Sequence, residues 1–98
     1  VSEMATQWTR GTWENMVECD RLIKTAATKW DLIRLSSVDR SILRLGTYQL
    51  RFCEDIPGKV VINEAIEMAK KYSGAQSPGF VNGVLDAILK TITKEDKI

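Results

Sequence analysis

The sequence predicts an all-α protein, and three observations carry that expectation. Apolar residues recur at three- and four-residue spacing through four long stretches, no stretch alternates strictly as a half-buried strand would, and both prolines, Pro57 and Pro78, fall at or just before the start of such a stretch. Helices are expected near residues 5–29, 37–53, 59–72 and 78–93 of a 98-residue chain read as one helical domain, 1–98.

The first stretch, from Met4 to Trp30, holds no proline and one glycine, and Ala5, Trp8, Thr12, Cys19, Leu22, Ile23, Ala26 and Trp30 recur at helical spacing. Gly11 inside it is either a tolerated glycine, costing about 1 kcal/mol relative to alanine, or a place where another element comes close; the second reading is preferred. Residues 30–35 are too few for a long helix and are read as a turn or a single helical segment. Ser36 and Asp39 then stand three apart before an apolar run, a start resembling a capping box with Asp in place of Glu. Val38, Ile42, Leu45 and Gln49 form one row of this second helix and Leu43 and Leu50 the next, a buried stripe broken only by the Gln49 amide.

Pro57 disfavours helical geometry at Ile56, so the second helix must stop before it. In the third helix Val61, Ala65, Met68 and Tyr72 share a face, with Ile62, Ile66 and Ala69 beside them. Glu64, Glu67, Lys70 and Lys71 fall outside, Glu67 and Lys71 forming an i,i+4 pair. Ser73-Gly74 reads as a stop, and Ser77 as an N-cap followed by Pro78 at the first helical position. Val81, Val84, Leu85, Ile88 and Ile92 make the core side of the last helix, which runs into a charged, solvated tail.

Composition narrows the chemistry. Fourteen basic against 13 acidic residues leave a net charge of +1, so any affinity for a polyanion must come from a local patch or a basic partner. With no histidine, no Gly-rich phosphate loop, no paired-carboxylate site and two distant cysteines, Cys19 and Cys53, no catalytic residue, metal site or cofactor is expected. No apolar run approaches the ~18 residues a membrane span needs, and a cytoplasmic protein is expected.

Four polar or aromatic positions stand out. Asn63 and Asn82 lie in early helical turns among apolar residues; each either bonds neighbouring helix ends or serves a surface role, and the first reading is preferred for Asn63. Phe80 follows Ser77-Pro78-Gly79 at a helix start, where free N–H groups favour phosphate and an aromatic can stack on an unpaired base; packing into the core is the other reading, and from spacing alone the preferred one. Arg44, on an otherwise apolar helix, must snorkel or pair, with Asp39, Glu64 and Asp86 as candidates.

Three blocks, Leu35 to Leu45, Ile56 to Lys70 and Phe80 to Asp86, resemble the NusB family of transcription antitermination factors, and the resemblance extends from about Trp8 to Ile88. It implies a NusB-like helical bundle that lacks the family's first two helices and their arginine-rich leading segment. It also implies binding of a boxA-type single-stranded RNA together with a NusE-like small-subunit ribosomal protein, within the RNA polymerase antitermination complex. Carried onto this chain, Gln76, Ser77, Gly79, Phe80 and Asn82 correspond to RNA-binding positions, and Asp39 and Arg44 to partner-binding ones. Gln76 stands where some members have an acid and Gly79 where many have lysine, which would remove one phosphate contact.

Two other functions fit the same residues: an RNA-binding domain of the kind found in some ribosomal RNA methyltransferases, and a helical interaction module with no RNA role. Met4, Trp13, Met16 and Val17 also lie off the main apolar row of the first helix, so a homo-oligomer through residues 4–30 is expected.

Overall fold

The computed structural model describes residues 10–27, 36–74 and 76–96. Four helices order them: α1 (Met16–Ala26), α2 (Ser37–Phe52), α3 (Gly58–Tyr72) and α4 (Ser77–Asp96), with no strand among the described residues. Met4, Ala5, Trp8 and the segment from Trp30 to Leu35 lie outside that range.

Residues 10–14 are also helical, and a turn at Asn15 separates them from α1. The Gly11 carbonyl accepts both the Asn15 backbone N–H, at 3.0 Å, and the Asn15 side-chain amide, at 2.8 Å. A side chain competing for a helical carbonyl loosens the local geometry, so the single expected helix is broken at this residue. Gly11 itself meets the close-approach reading: a Cβ placed there would fall 2.3 Å from the ring and hydroxyl of Tyr48.

The last helix is the centre of the bundle. It packs on α1, α2 and α3, while α2 packs on all the others and α1 does not reach α3. Val81, Val84, Leu85 and Ile88 are wholly enclosed, as the spacing predicts, and they meet Leu22, Leu43, Val61 and Ala65 from the other three helices. Gly46 lets α2 approach α4: a Cβ there would sit 3.0 Å from Leu85 Cδ1. On α2 the buried stripe is Asp39, Ile42, Leu43, Gly46, Thr47, Gln49 and Leu50. The Thr47 hydroxyl donates to the Leu43 carbonyl at 2.6 Å, which satisfies the one polar group of a residue with no exposure. Val38, expected inside, is exposed, because the stripe centres on the Asp39, Leu43, Gly46, Leu50 row.

Several polar expectations are corrected. Asn63 is exposed on α3 and fixes no helix end. Arg44 pairs with Asp20 of α1, Nε to Oδ1 at 3.0 Å and Nη2 to Oδ2 at 3.1 Å, rather than with Asp39, Glu64 or Asp86. Glu64 and Asp86 point to solvent and Asp39 is engaged elsewhere, so the near carboxylate across the α1–α2 interface takes the fork. Glu67 pairs with Lys70 at 3.3 Å instead of with Lys71. The thiols are chemically quiet: burial first, then Asp20 and Glu18, push Cys19 up to about 11, and burial with Asp55 raises Cys53.

Candidate nucleic-acid interface

Three helix ends meet at one corner of the bundle. Ser36 takes an extended conformation before α2 and its hydroxyl accepts from the Asp39 N–H at 3.1 Å, the N-cap that the Ser36/Asp39 spacing predicts. The reciprocal half of a capping box is not made. The Asp39 carboxylate, only 8% exposed, instead accepts from the Ser73 hydroxyl at 2.5 Å, reaching the residue that ends α3. Ser73 Oγ lies 2.9 Å from Ser77 Oγ on α4.

The direction of this chain follows from proton counting. A carboxylate only accepts, and a hydroxyl has one proton to give. Ser73 spends its proton on Asp39, so Ser77 must donate to Ser73. The charge of Asp39 strengthens both links. Ser77 therefore does not cap α4 as expected: it is the first helical residue, its N–H donates to the Gly74 carbonyl at 3.1 Å, and the Phe80 N–H returns to the Gln76 carbonyl at 3.4 Å. Pro78 still falls in the first turn, where a missing N–H costs little.

Around this junction the predicted site residues divide. Asp39 and Ser77 are joined through Ser73, and Gln76, Gly79 and Phe80 occupy the same turn as Ser77. Gln76 and Gly79 are exposed, and nothing lies within 4 Å of a Cβ built on Gly79. Phe80 is half-buried and packs against the core, as its core reading expects. Asn82 is exposed one turn further on. Arg44 is not part of the corner, since its guanidinium is committed to Asp20.

Charge at the corner is uneven. Asp39 sits in the first turn of α2 and answers the positive end of that helix, whereas α4 has no acid in its first turn. Lys70 and Lys71 stand in the last turn of α3 and Arg40 is exposed beside Asp39. Spacing marks Ser73 only as a helix stop and puts Tyr72 on the core face, yet Tyr72 is 63% exposed. No local signal could have joined Ser73 to Asp39, 34 residues away. Among the described residues no group of His, Cys, Asp and Glu is placed to hold a metal ion.

The fold and this corner define a small all-helical bundle whose polar, cation-flanked end is assembled from helix termini. Residues 1–90 match the family model described as the NusB family, and the chain belongs to that family. It is 54% identical over 82 residues to the transcription antitermination protein NusB of Clostridium perfringens (strain SM101 / Type A), covering 84% of this chain and 61% of that protein. It is 50% identical over 97 residues to the NusB of Thermotoga sp. (strain RQ2), covering 99% of this chain and 68% of that one. A solved structure of T. maritima NusB superposes with a TM-score of 0.84 at 47% identity, covering 98% of this chain and 69% of that one. The chain thus spans about three-fifths of the length of the C. perfringens relative.

Proposed function

We propose that the chain is an RNA-binding transcription antitermination factor that holds a boxA-type single strand jointly with a NusE-like ribosomal protein, as part of the RNA polymerase antitermination complex in the cytoplasm. The observation that carries this reading is the corner itself, where the unopposed N-terminus of α4 presents Gln76, Ser77 and Gly79 beside a half-exposed Phe80. The positive end of the α4 dipole, with no acid in its first turn, suits a phosphate, and the aromatic suits an unpaired base. The relatives' name, transcription antitermination protein NusB, supports the same role.

Because the net charge is only +1, the chain alone is expected to bind a labelled boxA-type RNA weakly, with marked salt dependence, and the NusE-like protein to tighten that binding. Fluorescence anisotropy at two salt concentrations, with and without the partner, measures both effects. Unchanged anisotropy in every mixture would remove the RNA role and leave a helical interaction module.

A second reading concerns self-association. Trp13 is 74% and Val17 88% exposed on either side of the Asn15 turn, and these two apolar side chains support a contact between two copies through residues 4–30. Sedimentation of the parent at tens of micromolar is expected to show a dimer or larger species that Trp13→Glu weakens. A concentration-independent monomer would contradict it.

A further inference from the structure

Tyr72 is the last residue of α3 and the row Val61, Ala65, Ala69 leads directly towards it, so helical periodicity alone would bury it. It is 63% exposed instead. A single exposed aromatic is ordinary on a protein surface, but three features set this one apart. Its backbone is held: the next residue, Ser73, donates its N–H to the Ala69 carbonyl at 3.0 Å, its hydroxyl to Asp39 at 2.5 Å, and accepts from Ser77 at 2.9 Å. An aromatic on so fixed a base loses little freedom when a ligand stacks on it. Its position is specific, since the hydroxyl pair Ser73 and Ser77 ties it to the turn that carries Phe80. Finally, Lys71 Nζ lies 5.5 Å from the Tyr72 ring centroid, and among the described residues no acid stands within ion-pair distance of Lys71 or of Arg40.

An exposed ring on a fixed backbone with an unneutralised cation beside it matches a nucleotide, whose base offers a π face and whose phosphate offers negative charge; an apolar peptide would use the ring but strand the cation. We propose that Tyr72 is a second stacking platform for an unpaired base of the bound RNA, with Lys71 taking the adjoining phosphate. This rests on the RNA-binding reading of the same corner and extends it from the start of α4 to the end of α3.

The test uses the 98-residue chain with the NusE-like protein and a fluorescein-labelled boxA-type RNA. Tyr72→Ala is expected to lower RNA affinity by about 5- to 150-fold, the range for losing one base–aromatic stack, while Tyr72→Phe keeps it. Lys71→Gln should lower the slope of log affinity against log salt by about one, and Tyr72→Ala should leave that slope unchanged. Both positions are exposed, so thermal melts should coincide with the parent. If Tyr72→Ala binds as the parent does while Phe80→Leu is weakened, Tyr72 is no platform and the RNA reading stands. If Tyr72→Ala instead lowers affinity for the NusE-like protein measured without RNA, the ring belongs to the protein contact and the proposal fails. If the parent binds no RNA, both readings fall together.

Discussion

Leu85→Ala is expected to destabilise the chain by about 2–5 kcal/mol, towards the upper part of that range. The cost has two parts, the lost transfer of the isobutyl group from water and the cavity left behind. Leu85 has no exposed surface and lies on the central helix, so the transfer part is full. The cavity part is large because the leucine methyls rest against α2 at Gly46, where a Cβ would be only 3.0 Å and 3.1 Å from Cδ1 and Cδ2. Glycine has no side chain to move into the space, and the α2 backbone is held by its own hydrogen bonds. A protein of this size has ~5–15 kcal/mol to lose, so one such cavity removes much of it. Urea denaturation followed by circular dichroism gives the shift in midpoint. A Leu85→Ala midpoint equal to that of the parent would show that the α2–α4 contact is loose.

Phe80→Leu is the second expected large effect, on RNA affinity rather than on stability. Phe80 is half-buried and packs against the core, so Phe80→Ala would disturb the fold and the site together. Leucine retains most of the apolar volume and removes the aromatic face. Affinity for boxA-type RNA in the presence of the NusE-like protein should therefore fall by roughly 1–3 kcal/mol, the cost of one base stack, with thermal stability changed by less than about 1.5 kcal/mol. Anisotropy titrations beside thermal melts separate the two. Equal RNA affinity for parent and Phe80→Leu would return this ring wholly to the core.

The two effects differ in how far the sequence could foresee them. Leu85 belongs to the row Val81, Val84, Leu85, Ile88, whose spacing alone marks it as core, and it is core. The half-burial of Phe80 falls between the core and surface readings, and spacing could not divide them. The same contrast runs through the site. The Ser36 cap was legible because its acceptor and donor are three residues apart, while the Asp39 to Ser73 bond that completes the corner spans 34. Asn63 looked like a buried amide because its neighbours Val61, Ile62 and Ala65 are apolar, yet it faces solvent.

By itself the sequence determined the elements: helices at Ser37–Phe52, Gly58–Tyr72 and Ser77–Asp96 begin and end within a few residues of where caps, prolines and periodicity place them, because those signals act over one or two turns. Tertiary structure alone decided the partners. Arg44 turned to Asp20 rather than to Asp39, Glu64 or Asp86, and the row that buries Val61, Ala65 and Ala69 left Tyr72 in solvent. Periodicity states which way a side chain points around its own axis. Where the neighbouring helix ends, and so whether anything waits there to cover it, is set only by packing.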